Sequence, residues 1–121
     1  MIVRRLRSWG MLGGLALAVL ALAGCGGKKL DAANAVATSK VDLPPSYRFS
    51  PAVIKVGVGA TVTWTNHDHF THSVRLSSGS GAGTHVLKPG ESYAVAFRSK
   101  GVFKYDCSFH PRDMRGEVIV Q

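Results

Sequence analysis

Apolar and polar residues alternate in two segments of the C-terminal part of the chain. Residues 61–65 are Thr-Val-Thr-Trp-Thr, and residues 93–98 are Tyr-Ala-Val-Ala-Phe-Arg. A period of two places successive side chains on opposite faces of a β-strand, so both segments are predicted to be strands. The side chains expected on their core faces are Val62, Trp64, Tyr93, Val95 and Phe97.

Short apolar runs elsewhere predict further strands, and turn signals at 57–59 and 88–91 separate them. No convincing period of 3.6 residues occurs after the apolar segment at the N-terminus. The pattern therefore predicts an all-β domain. The remaining core is expected to comprise Val53, Ile54, Val56, Val102, Phe103, Tyr105, Val118 and Val120.

The first 24 residues resemble a bacterial signal peptide. Three arginines precede an apolar run at 11–23, which is short for a membrane span and has the basic front of an export signal. The run ends in Leu22-Ala-Gly-Cys25, which resembles a lipobox, in which the cysteine becomes the lipidated first residue of the mature protein. We therefore expect a protein anchored by Cys25 in the bacterial cell envelope, facing the periplasm or the cell exterior. The pair Arg4-Arg5 leaves Sec and twin-arginine export both open.

The composition changes after the predicted lipidation site. Residues 26–40 are rich in Gly, Lys, Ala, Asn, Thr and Ser and offer little apolar surface, which is typical of a flexible tether. A chain of 121 residues has room for one folded domain. The predicted organisation is a signal peptide at 1–24, a lipidated cysteine and linker at 25–40, and a folded domain at 41–121.

The chain carries a formal net charge of +8, and three of its fifteen Lys and Arg residues lie in the predicted signal peptide. The mature protein therefore stays basic, with twelve such residues against seven acids. A monomer without a nucleic-acid partner is expected.

One short segment and one distant histidine carry most of the candidate chemistry. Cys107, His110 and Met114 follow one another in Cys-Ser-Phe-His-Pro-Arg-Asp-Met, and His72 lies upstream on a different predicted strand. A thiolate, two imidazoles and a thioether are the donors of a blue-copper site with a weak axial methionine. Zinc sites rarely use a thioether. Because the protein would fill all four positions, no open position remains for a substrate, and electron transfer is favoured over catalysis.

A lone cysteine in a strand usually packs as a small hydrophobe. If Cys25 is acylated, Cys107 has no partner for a disulfide. Metal ligation is the favoured interpretation here because a histidine and a methionine follow Cys107 at ligand spacing.

In their order and spacing, several motifs resemble those of small cupredoxins of the plastocyanin, amicyanin and pseudoazurin type. The resemblance runs from about Val41 to Gln121 and includes Asp68 and the segments 53–66, 72–74, 87–92, 101–107 and 114–120. It implies a Greek-key β-sandwich of about seven to eight strands with one copper ion, Cu(I) or Cu(II), at one end. By this resemblance the ligands are His72, Cys107, His110 and Met114. Asn66, Ser73 and Ser108 are predicted to support them through hydrogen bonds.

The function that this resemblance implies is a type 1 copper protein that shuttles single electrons between redox partners, not an enzyme. A cytochrome or a copper enzyme would be such a partner. Around the exposed edge of His110, the predicted docking surface would suit an acidic protein. It consists of Phe109, Pro111, Arg112 and Arg115. The alternative for the two arginines is that they only aid solubility.

A second functional hypothesis is a lipoprotein that buffers or delivers copper. His67 and His69 lie close enough to His72 in the sequence to suggest a copper-loading platform, but polar loop histidines are usually only solvated, and we favour that interpretation. A fragment of a nitrite reductase or multicopper oxidase is disfavoured, since those enzymes need a second domain and further histidine ligands.

Overall fold

The computed structural model describes residues 30–121. The predicted signal peptide and Cys25 lie outside the described residues, as do the first residues of the predicted linker. One short 3-10 helix and nine β-strands make up the described part of the chain. They are the helix Ala32–Asn34, β1 Val36–Ala37, β2 Lys40–Leu43, β3 Val53–Val56, β4 Thr61–Asn66, β5 His72–Leu76, β6 Gly83–Leu87, β7 Ser92–Ala96, β8 Gly101–Asp106 and β9 Arg115–Val120.

The strands form two sheets. The larger sheet has the order β1-β3-β9-β8-β5-β6, and the smaller has the order β2-β4-β7. The prediction of an all-β sandwich is confirmed. The strand count exceeds the predicted seven to eight because β1 has only two residues, too few to show an alternating pattern. No helix in residues 30–121 is long and apolar enough to cross a membrane.

Residues at the end of the predicted linker take part in the sheets. In β1, Val36 pairs in parallel with Ile54 of β3, and β2 already begins at Lys40. The Ser39 carbonyl also accepts a hydrogen bond from the Thr63 backbone N–H, at 2.9 Å. Main-chain hydrogen bonds do not depend on side-chain polarity, so composition alone did not reveal this pairing.

The core lies between the two sheets. Burial along β4 alternates as predicted, and Val62 and Trp64 are fully buried. The prediction for Val102 is wrong, since its side chain is 53% exposed. The alternation along β8 turns Phe103 and Tyr105 toward the core, so Val102 lies on the outer face with Lys104.

Strand directions bring several chain segments to one end of the sandwich. β4 ends at Asn66 and β5 begins at His72, while β8 ends at Asp106 and β9 begins at Arg115. The register of β5 with β8 pairs Arg75 with Asp106. The loops 67–71 and 107–114 therefore meet at this end, as does the loop 44–52 between β2 and β3.

A bidentate ion pair joins the two strands that lead into these loops. Arg75 Nε lies 2.7 Å from Asp106 Oδ1, and Arg75 Nη2 lies 2.7 Å from Asp106 Oδ2. Only two residue pairs join β5 to β8. The Arg75–Asp106 pair therefore helps to fix the spacing of the strands beside His72 and Cys107.

Candidate metal centre

His72 is the first residue of β5 and is fully buried. Its Nε2 lies 2.8 Å from Oδ2 of Asp68, a buried residue on the preceding loop, and this hydrogen bond lowers the pKa of the Asp68 carboxyl. On the other side of the ring, Nδ1 lies 3.9 Å from Cys107 Sγ. Because the carboxylate occupies Nε2, Nδ1 is the nitrogen left to bind a metal.

Asn66 organises the loop that carries Asp68. Its side-chain amide donates hydrogen bonds to the Phe70 carbonyl at 2.8 Å and the Leu87 carbonyl at 3.0 Å. Its side-chain oxygen accepts from the Asp68 backbone N–H at 2.9 Å. Sequence reasoning did not assign a role to Asp68. The signal available was a carboxylate four residues before a candidate ligand histidine.

Cys107 follows β8, and its side chain is fully buried beside Ser73. The Ser73 backbone N–H donates to Cys107 Sγ at 3.4 Å, and the Ser73 hydroxyl lies 3.7 Å from the same sulfur. Ser108 donates its backbone N–H to Ser73 Oγ at 2.7 Å, and the two hydroxyls are 2.8 Å apart. These hydrogen bonds hold the Cys107 sulfur in place beside His72 Nδ1.

His110 and Met114 lie on a tight loop that closes on Cys107. The Cys107 backbone N–H donates to the Met114 carbonyl at 3.0 Å, and the N–H groups of His110 and Met114 donate to the carbonyls of Cys107 and His110 at 3.1 and 2.9 Å. Met114 is fully buried in the same core cluster as Cys107. His110 is half-buried, with its ring centroid 6.0 Å from that of His72.

The structure brings His72 Nδ1 to 3.9 Å from Cys107 Sγ, and the His110 ring lies beside that of His72. Within residues 30–121, no group of three His, Cys, Asp or Glu side chains is arranged to hold a metal ion by itself. Asp68 fixes the His72 ring and Ser73 borders the Cys107 sulfur. His110 is half-buried, and its ring lies against those of His72 and Tyr47.

The predicted docking residues differ in exposure. Phe109 is 53% exposed, Pro111 and Arg112 are exposed, and Arg115 is half-buried at the start of β9. Arg112 is thus the more accessible of the two arginines.

The two remaining loop histidines are both exposed. His67 Nε2 lies 3.2 Å from Asp42 Oδ1, and such exposed pairs contribute little to stability. The His69 backbone N–H donates to Asp68 Oδ1 at 2.7 Å. These contacts do not test a role in copper loading, so the solvated interpretation stays a prediction.

Residues 37–121 match the family described as copper binding proteins, plastocyanin/azurin family. The chain belongs to this family. The resemblance inferred from the motifs is confirmed, and the match begins within β1, in agreement with the pairing of that strand.

Individual members of the plastocyanin/azurin family show the same relationship. Amicyanin-alpha of Methylorubrum extorquens is 33% identical over 78 residues, which cover 61% of this chain and 65% of the relative. The match thus spans slightly less than two thirds of that relative. Plastocyanin of Scenedesmus fuscus is 33% identical over 84 residues, covering 60% of this chain and 86% of the relative. A solved structure, the novel purple cupredoxin from Nitrosopumilus maritimus, has a TM-score of 0.58 and 32% identity, covering 68% of this chain and 98% of its own.

The candidate donors suit the copper ion that defines the family. Thiolate and thioether sulfur favour Cu(I), and imidazole accepts both Cu(I) and Cu(II). Cys107 and Met114 supply the sulfur atoms, and His72 Nδ1 is the free nitrogen beside Cys107. One copper ion is therefore the cofactor that fits these residues.

Proposed function

We propose that this protein is a type 1 copper protein that carries single electrons, with His72, Cys107, His110 and Met114 as the ligands. The observation that carries the proposal is the buried contact between His72 Nδ1 and Cys107 Sγ, at 3.9 Å, next to the loop that supplies His110 and Met114. Copper bound there supplies one-electron chemistry by alternating between Cu(I) and Cu(II).

The surrounding residues restrict movement and access at the proposed site. Asp68 holds the His72 ring, and the Ser73–Ser108 pair holds the segment that follows Cys107. Three of the four proposed ligands are fully buried, and the four donors together fill the positions at which a catalytic metal would bind a substrate. His110 is the one that reaches toward the surface, so its ring edge is the proposed route for electrons. This arrangement supports a carrier and not an enzyme.

Copper retention distinguishes the electron carrier from a protein that delivers copper. We expect the copper-loaded full chain to undergo repeated one-electron oxidation and reduction at an electrode with its metal content unchanged. A copper-delivery protein would instead transfer copper to a competing apo-protein in the same period, and that result would replace the carrier proposal.

The exposed surface around His110 is proposed to dock an acidic redox protein, such as a cytochrome or a copper enzyme. We expect Arg112→Glu to slow electron exchange with an acidic cytochrome severalfold at low salt, because steering between opposite charges is lost. Added salt should reduce the difference, since screening weakens such steering. Stopped-flow measurements over a salt series check this.

A matched control for this charge reversal is Lys100→Glu. Lys100 is exposed and precedes β8, whose other end leads to Cys107, so the variant changes the net charge equally but far from the docking surface. Equal electron-exchange rates for Arg112→Glu and Lys100→Glu would show that Arg112 does not take part in docking. Arg112 would then serve only solubility.

We further propose that the mature chain is a lipoprotein anchored through Cys25 in the bacterial cell envelope, facing the periplasm or the exterior. The lipobox-like sequence before Cys25 supports this. Cys25→Ser should block lipidation and shift the protein out of the membrane fraction, because acyl chains provide the attachment. Mass spectrometry and fractionation check this. An unmodified Cys25 in a soluble parent protein would contradict it.

A further inference from the structure

Tyr47, on the loop between β2 and β3, packs against both candidate histidine ligands. Its ring centroid lies 4.5 Å from that of His110, with 68° between the planes, and 5.9 Å from that of His72, with perpendicular planes. Edge-to-face contact at such distances is a favourable arrangement of aromatic rings. Phe70 stacks on Tyr47 at 6.1 Å, so a second aromatic ring flanks it.

The backbone beneath Tyr47 adopts an unfavourable conformation. Ser46 and Tyr47 have φ angles of 86° and 52°, in the left-handed region that non-glycine residues usually avoid. Strain of this kind persists only where the surrounding structure imposes it, and it is concentrated at functional sites.

Both ends of this loop are fixed. Asp42 and Ser50 exchange two backbone hydrogen bonds, at 2.9 and 2.8 Å. Phe49 is buried, with its ring centroid 4.8 Å from that of Tyr105. Because both ends of the loop 44–52 are fixed, the loop holds Tyr47 in this position.

The two candidate histidine ligands are supported in different ways. Asp68 holds the His72 ring through a hydrogen bond. In residues 30–121 no hydrogen bond holds the His110 ring, and the aromatic rings that contact it belong to Tyr47 and His72. Tyr47 is thus the group outside the proposed ligand set placed to orient the His110 imidazole.

We propose that Tyr47 is a positioning residue that holds the His110 ring at the copper site. This inference rests on the proposed role of His110 as a ligand. The aromatic ring is the active part, since the Tyr47 hydroxyl makes no hydrogen bond to any other described residue. Orientation by Tyr47 would do for His110 what the Asp68 carboxylate does for His72.

Two Tyr47 variants and one control distinguish the effect of the Tyr47 ring from the effects of its hydroxyl and of the backbone strain. Tyr47→Phe keeps the ring. Tyr47→Asn removes it and relieves strain, because asparagine tolerates positive φ better than an aromatic residue. Val58→Ala is the control, since Val58 is 50% exposed and lies in the β3–β4 turn at the other end of the sandwich.

The test uses the full chain. Cu(I) release to a chelator should be roughly two- to tenfold faster in Tyr47→Asn, as loss of one aromatic pair would produce. Tyr47→Phe and Val58→Ala should match the parent. In the metal-free protein, NOEs and NMR relaxation of the His110 side chain should show that it no longer keeps a single orientation in Tyr47→Asn alone. The unfolding midpoint of that variant should not fall.

Unchanged copper release and an unchanged orientation of the His110 side chain in Tyr47→Asn would overturn the inference. If the unfolding midpoint of Tyr47→Asn fell while Cu(I) release became faster, Tyr47 would have a structural role. That result would also overturn the inference. Failure of the proposed function is distinguishable. A copper(II) protein without the thiolate charge-transfer band would refute that function, whereas NMR of the metal-free protein would still decide whether Tyr47 orients His110.

Discussion

Replacement of Cys107 by serine is expected to abolish the intense visible absorption of the copper(II)-loaded protein. The band arises from charge transfer between a thiolate and Cu(II) across a short bond, and a serine hydroxyl cannot supply it. Among residues 30–121, Cys107 is the one cysteine, and it is fully buried beside His72 Nδ1. We expect complete loss of the band, measured as visible absorbance per copper ion bound.

The chain offers a matched control in its other cysteine. Cys25→Ser changes the same residue type at a position that is not a proposed ligand, and it should leave the spectrum as in the parent. A parent protein that binds Cu(II) tightly but lacks the band would contradict the type 1 assignment. Metal analysis must accompany the spectra, since zinc also binds thiolate and imidazole.

The second large effect is expected at Met114. Met114→Leu should preserve the visible band and raise the reduction potential, because loss of a weak donor disfavours Cu(II) relative to Cu(I). A tenfold change in the binding of Cu(I) relative to Cu(II) corresponds to about 59 mV for a one-electron couple. We expect the reduction potential to rise by an amount of this order. Protein-film voltammetry measures it directly.

The fold should tolerate this substitution. Met114 is fully buried, and exchange of methionine for leucine conserves volume and usually costs less than about 1.5 kcal/mol. Met114→Gln provides the opposite test and should lower the potential, since an amide oxygen is a harder donor. An unchanged potential in copper-loaded Met114→Leu would exclude Met114 as the axial ligand.

Sequence patterns predicted the fold where one face of a strand is buried. The alternation along 61–65 located β4 and its inward residues Val62 and Trp64, because burial on one face imposes a period of two. The same logic failed at Val102, whose apolar character did not reveal the direction of its side chain. β1 was missed because a two-residue strand held by main-chain hydrogen bonds leaves no side-chain pattern.

The candidate site was predictable to the extent that ligand chemistry is local in sequence. Cys107, His110 and Met114 lie in one segment, and the structure places them on one loop. No role was predicted for Asp68 or Tyr47, since their contacts depend on where other loops fold. Tyr47 is separated in sequence from every proposed ligand, and only the anchored loop 44–52 brings its ring to His110.

X-ray absorption at the copper edge of the loaded full chain tests the central claim most directly, because it reports the atoms bound to the metal. We expect a shell of one short sulfur and two nitrogens, with a second sulfur at longer distance, from Cys107, the two histidines and Met114. A shell of nitrogen and oxygen alone, without a short copper–sulfur bond, would contradict the assignment of this chain as a type 1 copper carrier.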